Sequence, residues 1–166
     1  MKLVSAMKAL ATLVLMTGVP GAALAATLQE QIDAAPENAV ITPEAGTYAE
    51  HLVIRKPVTL DGSNGVTIDG GGTGTVIEID TNGATVKDLT IRNSGRLHTA
   101  IDAALRIKGD FNVVKDNHIE NSLFGFDLHQ SNNNILRRNT IDGKDVPAEL
   151  RGDSIRLWYS TGNEIS

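Results

Sequence analysis

The stretch "GFDLHQSNNNILRRNTI" (residues 125–141) is one unit of an internal repeat, and the length and pattern of this repeat indicate the fold. Its opening "GFDLH" aligns with "VIEID" (76–80), "ALRIK" (104–108) and "SIRLW" (154–158), which places apolar side chains in two columns. The columns are Ile77, Leu105, Phe126 and Ile155, and then Ile79, Ile107, Leu128 and Leu157. Apolar residues that alternate with period two predict strands with one buried face.

The second part of the repeat keeps the same register. Its "ILRRNTI" (135–141) aligns with "TVKDLTI" (85–91) and "VVKDNHI" (113–119), which adds two apolar columns. Asparagines also share columns, namely Asn117 with Asn139, and Asn112 with Asn134 and Asn163. We expect these stacked asparagines to pass side-chain hydrogen bonds from one repeat to the next.

The length of the repeat indicates the architecture. An uninterrupted repeat has about 21 or 22 residues, enough for three short strands and three turns, which is one coil of a parallel β-helix. Stacked coils lie about 4.8 Å apart and bury their aliphatic side chains against one another. We therefore predict an all-β fold, a right-handed, single-stranded parallel β-helix, whose first full coil starts near His51.

The chain is expected to divide into three parts. Residues 1–25 have a basic start, an apolar run and an Ala-Leu-Ala cleavage pattern, which predict a signal peptide and a periplasmic location. Residues 26–50 should form a short capping helix and a lead-in strand, because Thr27 and Glu30 have capping-box spacing. Residues 51–166 should form the β-helix coils, with the last coil incomplete.

Composition argues against several classes of partner. The chain has no cysteine, and its three methionines all lie in residues 1–25, so residues 26–166 offer no sulfur ligand. Because residues 1–25 carry two of the 15 basic residues and none of the 20 acids, residues 26–166 have a net charge of about −7. That charge disfavours nucleic acid, and no later stretch predicts direct membrane insertion.

The outward positions of the aligned strands form a charged column of Glu78, Arg106, Asp127 and Arg156. The next column ends in His129 and Trp158, with Tyr159 after it. One interpretation is a solvated ladder of exposed ion pairs, each contributing about 0–1 kcal/mol, so that Asp127→Ala would cost little stability. The other is a surface for a protein partner, since aromatic residues and arginine are favoured interface anchors. The predicted partner-binding residues are Asp127, His129, Arg151, Asp153, Arg156, Trp158 and Tyr159.

Two repeats are stretched to about 28 or 29 residues by segments around 94–102 and 143–153. Both insertions follow the third strand of a coil, so they should emerge from the same edge and lie near each other. Insertions in repeat proteins often build the binding face, although tolerated surface loops are an equal alternative. We expect Trp158 and Tyr159 to lie at the exit of a strand near the second insertion. Arg151 and Asp153 should fix that insertion against the solenoid, rather than form an Arg-Gly-Asp adhesion motif.

Catalytic and metal-binding alternatives have weaker support. Asp127 and Glu78 resemble a carboxylate pair of a polysaccharide lyase or epimerase, but Arg106 lies between them in the alignment, so no catalytic residue is predicted. His129 has the chemistry of a general base. Soft Cu(I) prefers sulfur ligands, which leaves only a weak imidazole site between His98 and His129 as a metal alternative.

Three segments, "LQEQIDAAPENAVITPEAGTYAEHLVI" (28–54), "FGFDLHQSNNN" (124–134) and "RGDSIRLWYS" (151–160), resemble the NosD family. Its members are periplasmic β-helix proteins of nitrous oxide reductase maturation, and they are longer than this chain. The resemblance implies a non-enzymatic accessory protein for the copper–sulfur centres of the reductase. It would act with an ABC-type ATPase and membrane subunit and a copper chaperone, and have no cofactor of its own. Copper or sulfur would be handled transiently or through partners. The alternative is a carbohydrate-binding or carbohydrate-modifying β-helix.

Overall fold

The structure is a computed structural model that describes residues 26–166, so the predicted signal peptide at 1–25 lies outside the described residues. The described chain is a parallel β-solenoid of about five turns with one short helix, which confirms the predicted fold class. Each coil adds one strand to each of three parallel sheets, named sheets A, B and C.

Sheet A contains β1 (Val40–Ile41), β4 (Thr59–Asp61), β7 (Thr85–Lys87), β10 (Val113–Lys115), β13 (Ile135–Arg137) and β16 (Glu164–Ile165). Sheet B contains β2 (Gly46–Tyr48), β5 (Val66–Asp69), β8 (Thr90–Arg92), β11 (His118–Ser122) and β14 (Thr140–Gly143). Sheet C contains β3 (Leu52–Ile54), β6 (Ile77–Ile79), β9 (Ala103–Ile107), β12 (Phe124–His129) and β15 (Ile155–Trp158).

The register of the strands is the one that the repeat predicts. Phe126 pairs with Leu105 on one side and with Ile155 on the other, and Leu136 pairs with Val114. The inward columns are almost completely buried in the middle coils and form one continuous aliphatic core. Burial of branched aliphatic side chains therefore holds successive coils together.

The predicted asparagine ladders are present. Asn134 Oδ1 accepts a hydrogen bond from the backbone N–H of Asn112 at 2.8 Å, and Asn163 Oδ1 accepts one from that of Asn134 at 2.8 Å. Asn139 Oδ1 likewise accepts from the backbone N–H of Asn117 at 3.1 Å. These side chains satisfy backbone donors at buried corners where the strand ladder is interrupted.

Helix α1 (Leu28–Ala34) precedes the coils. Thr27 and Glu30 form the predicted capping box, in which each side chain accepts a hydrogen bond from the other residue's backbone N–H. Leu28 and Ile32 are completely buried against the first coil, so the helix contributes apolar surface to the core. Within residues 26–166, no helix combines the length and apolar character that a membrane crossing requires.

The corners between sheets A and B use a left-handed residue in three successive coils. Asp88, Asp116 and Arg138 have φ angles of 57°, 57° and 53°. Glycine and asparagine are the usual residues at such positions. In this protein two aspartates and an arginine occupy these corners. Arg138 binds Asp116 of the preceding coil through Nε at 2.6 Å and Nη2 at 2.8 Å, so an ion pair links two of the corners.

Candidate functional site

The candidate surface comprises the outer face of sheet C and the two inserted loops. The first loop (residues 93–102) joins β8 to β9, and the second loop (residues 144–154) joins β14 to β15 and contains a 3₁₀ turn, Ala148–Leu150. Both loops leave the solenoid at the same corner, after a strand of sheet B. They also touch, because His98 Nε2 lies 2.9 Å from the carbonyl oxygen of Leu150. The predicted proximity of the two insertions is therefore confirmed.

The charged column on sheet C has the predicted order. Glu78 pairs with Arg106, Arg106 with Asp127, and Asp127 with Arg156 in neighbouring strands. Arg106 Nε and Arg156 Nη1 donate to the two oxygens of Asp127 at 2.8 Å and 2.7 Å. Lys108 Nζ, from the adjacent column, lies 2.7 Å from Glu78 Oε1. Each carboxylate of the column is therefore held by at least one cation.

The expectation that this ladder is exposed and weak is wrong for Asp127, which is only 1% exposed. Arg106 Nη2 donates to the carbonyl oxygens of Ala100 and Ile101, both at 2.8 Å, and this contact joins the first loop to the charged column. Asp127 lies under the two arginines at this junction. A buried carboxylate between two cations is a structural ion-pair network, and its removal leaves cations unpaired.

A groove of about 280 Å³ runs along this face beneath the first loop. Its lining includes Arg106, Lys108, Asp127, His129 and Arg156. Three of these side chains are basic (Arg106, Lys108 and Arg156) and one is acidic (Asp127), so the groove has a mainly basic lining within an acidic protein. This arrangement suits an acidic or hydrogen-bonding segment of a partner.

An aromatic pair lies at the end of β15. Trp158 pairs in register with His129, and the Arg156 guanidinium stacks over the Trp158 ring at 4.9 Å from its centroid. Trp158 and Tyr159 pack edge to face with ring centroids 5.0 Å apart, and their exposed fractions are 46% and 77%. These contacts preorganise two large side chains that remain accessible to a partner.

The Arg-Gly-Asp tripeptide differs in part from expectation. Arg151 Nε donates to the carbonyl oxygen of Val146 at 3.1 Å, so this side chain braces the second loop internally and not against the solenoid. Asp153 accepts a hydrogen bond from Gly125 N through its backbone oxygen at 3.2 Å, whereas its carboxylate makes no hydrogen bond or ion pair within residues 26–166. Asp153 therefore holds the loop against the solenoid, as predicted, through its backbone and not through its side chain.

The second loop and the aromatic pair lie at opposite ends of β15. The loop enters the strand at Ile155, and Trp158 ends it, roughly 10 Å further on at about 3.3 Å per residue. The expectation that Trp158 lies near this loop is corrected by that separation. The groove residues Asp127, His129 and Arg156 do lie on the same face as the aromatic pair.

The remaining histidines have separate environments. His98 packs edge to face on Phe124 at 5.6 Å, whereas His129 lines the groove. His51 bonds to the carbonyl oxygen of Thr75, and His118 lies 3.1 Å from Glu120 Oε1. In the part of the chain that the structure describes, no three His, Cys, Asp or Glu side chains are grouped to hold a metal ion.

Two features of this surface were absent from the predicted residue set. Arg106 and Lys108 line the groove, and the alignment of the repeats already placed both of them at outward positions of a strand. Lys144 is buried between the two loops, and no periodic pattern marks it because it lies in an insertion.

The fold and the surface define a parallel β-solenoid with a cationic groove, an exposed aromatic pair and a two-loop edge. No family model matches the chain, and no solved structure matches it. A curated protein of Pseudomonas aeruginosa, named "Probable ABC transporter binding protein NosD", is 32% identical over 130 residues. The alignment covers 74% of this chain and 30% of that relative, so the chain spans less than a third of the relative's length. The chain is thus NosD-like, as a partial match to that family, which confirms the resemblance.

Proposed function

We propose that this chain is the partner-docking part of a periplasmic accessory protein for maturation of the copper–sulfur centres of nitrous oxide reductase. In this proposal it is a non-enzymatic scaffold that acts with an ABC-type ATPase and membrane subunit and a copper chaperone. The NosD-like match supports an association with an ABC transporter, because the relative's name describes such a binding protein. The pattern of residues 1–25 supports export to the periplasm.

One observation carries the docking proposal: the aromatic pair Trp158 and Tyr159 is exposed and fixed beside Arg156. Tryptophan, tyrosine and arginine are the residue types that most often dominate interface energies. The adjoining groove adds cations that can orient an acidic segment of the partner. Metal handling is assigned to the partners or to a transient step, since residues 26–166 contain no cysteine or methionine.

The proposal is tested by measuring the binding of the immobilised chain to the detergent-solubilised ABC ATPase and membrane subunit complex. Trp158→Ala should weaken binding by at least tenfold, because loss of an interface anchor commonly removes about 2 kcal/mol or more. Phe111→Ala is the matched control, since Phe111 is a 62% exposed aromatic residue at a corner two coils away. Its effect should stay within about twofold.

Thermal melting of both variants separates docking from packing. The melting temperature of Trp158→Ala should stay close to that of the parent chain, because nearly half of the side chain is already in solvent. Equal binding by Trp158→Ala and the parent chain would overturn the docking assignment. Saturable binding of an acidic polysaccharide, with no binding of the transporter complex, would favour the carbohydrate alternative.

A further inference from the structure

The second loop encloses a cleft that lies outside the proposed docking site, which consists of Trp158, Tyr159 and the adjoining groove. The cleft has a volume of about 370 Å³ and lies between this loop and the end of β11, with Leu123, Lys144, Val146 and Arg151 in its lining. That volume is within the usual range for small-ligand sites. The cleft is at the opposite end of β15 from Trp158, so it is separate from the aromatic pair.

Lys144 is the unusual residue of the cleft. It is 6% exposed, and its Nζ donates a hydrogen bond to the carbonyl oxygen of Asn121 at 2.8 Å. Within residues 26–166, no other hydrogen bond and no ion pair of this ammonium group is formed. Lysine has three N–H donors and is almost never buried without an anionic partner. Two of its donors therefore have no acceptor among the described residues.

The charges around Lys144 favour an anion. Burial lowers the pKa of the Lys144 ammonium, Arg96 of the first loop lowers it further, and Asp102 opposes them. Asp102 is itself buried and accepts a hydrogen bond from the backbone N–H of Leu97 at 2.9 Å. Asp145 is the only acid among the described residues that line the cleft. An entering anion would offset the cost of a cation held away from water.

Arg151 provides a second cation at the same cleft. Its Nε is used by the carbonyl oxygen of Val146 at 3.1 Å. Its two Nη atoms donate no hydrogen bond within the described part of the chain. Arginine binds carboxylate and phosphate groups through a fork of N–H donors, and these charge-assisted bonds are stronger than neutral ones. Lys144 and Arg151 therefore supply donors to one cavity from the base and from the rim.

We propose that this cleft is a binding site for a small oxyanion, a carboxylate or phosphate group, with Lys144 as its buried cation and Arg151 at its rim. The site is independent of partner docking at Trp158. It also gives the second loop a role beyond connecting β14 to β15, because the loop supplies both cations of the site.

The test is a titration of the ¹⁵N-labelled chain with sodium phosphate and, separately, sodium acetate at constant ionic strength. The backbone amide signals of Leu123, Gly143 and Gly152 report on the cleft. We expect saturable changes in chemical shift with either anion, and the anion that binds with the lower Kd identifies the preferred class. Lys144→Met should weaken binding at least tenfold. Lys115→Met, which removes the same charge from sheet A, should change it by less than twofold.

Shifts that grow linearly with the anion concentration, or that persist unchanged in Lys144→Met, would show non-specific anion binding and overturn the proposal. A second measurement covers the case in which Lys144→Met fails to fold. In the unmodified chain, the preferred anion should slow reductive methylation of Lys144 several-fold while leaving Lys115 unaffected. Equal rates for Lys144 with and without the anion would also overturn the site.

Discussion

The carboxylate of Asp127 lies 2.7 Å from Arg156 Nη1 in the next coil, and Asp127 is almost completely buried although it points away from the core. The charged column on the outer face of sheet C is therefore partly buried. Arginine side chains cover Asp127, and Arg106 joins the column to the first loop. Its central member is held from both sides, because Arg106 binds the other oxygen of the same carboxylate.

Replacing Asp127 with alanine should lower the free energy of unfolding by about 3 kcal/mol, because two arginines would lose their buried anion. Urea denaturation measures the change. Asp142→Ala is the control, since its side chain is 67% exposed, and it should change the free energy of unfolding by about 0.5 kcal/mol or less. A loss as small for Asp127 as for Asp142 would contradict the network.

Asn134→Ala should destabilise the protein by about 1–3 kcal/mol, because it leaves the buried backbone N–H of Asn112 without its acceptor. Asn82→Ala is a matched control. Asn82 Oδ1 accepts a hydrogen bond from the backbone N–H of Asp110, and because that N–H is exposed, water can take the place of the lost acceptor. Chemical denaturation of the two variants compares the ladder with the surface. Equal losses in the free energy of unfolding would mean that the buried ladder contributes no more than the hydrogen bond at the surface.

Gly152→Ala should destabilise the second loop by about 1–3 kcal/mol through overpacking. A methyl group at Gly152 would collide with the carbonyl oxygen of Leu123, which is backbone and cannot turn aside. Gly143→Ala is the control, because a methyl group there would be 3.9 Å from the nearest backbone oxygen, that of Ser122. Limited proteolysis of residues 144–154 and thermal melting should show faster cleavage and earlier unfolding for Gly152→Ala alone.

Asp69 should contribute a stability that is lost in acid. Hydrogen bonds from Asn93 and from the backbone N–H of Gly71, with the Arg92 ion pair, hold its pKa below the ordinary value of 3.8. The unfolded chain then binds more protons between the two pKa values, so stability rises with pH in that window and is complete above 3.8.

Asp69→Asn should therefore destabilise the protein more at neutral pH than in acid. The measurement is the difference in free energy of unfolding between the two chains, at about pH 7 and at a pH below the lowered pKa of Asp69. The difference should shrink at the acidic pH, where Asp69 is protonated in both states. A constant difference would show that the carboxylate charge has no part in the stability.

The purified mature protein, residues 26–166, should not bind Cu(I) tightly, because these residues include no cysteine or methionine. Competition with a chromogenic Cu(I) chelator measures the affinity. Stoichiometric uptake in the presence of excess chelator would contradict the prediction. Repeating the titration with His98→Ala and His129→Ala would then identify any imidazole ligands.

The coil register could be predicted because a period-two pattern and a repeat of fixed length constrain each other. Once Leu105, Phe126 and Ile155 share a column, the outward partners Arg106, Asp127 and Arg156 follow without further information. The asparagine ladder was predictable for the same reason. Local signals were sufficient for the helix, since Thr27 and Glu30 satisfy each other within four residues.

The burial of Asp127 and Lys144 could not be predicted in this way. Asp127 is covered at the junction where Arg106 reaches the carbonyl groups of Ala100 and Ile101, and the path of that loop follows no repeat. Lys144 lines one cavity together with Arg96 and His98 of the first loop, and the path of that loop follows no repeat. Arg106 shows the limit most clearly, because its column was predicted and its reach across the loop was not.

Both insertions leave and re-enter the solenoid at one corner, between sheets B and C, without changing the pairing of β9, β12 and β15. The length of the loop at this corner can therefore change without a change in the strand pairing of sheet C, and the added residues leave the inward columns of this sheet in register. In evolutionary terms, the corner is a position where a binding surface can be exchanged while the scaffold is kept as a module. Protein engineers can use the same corner, since a foreign loop grafted there inherits a rigid, parallel platform.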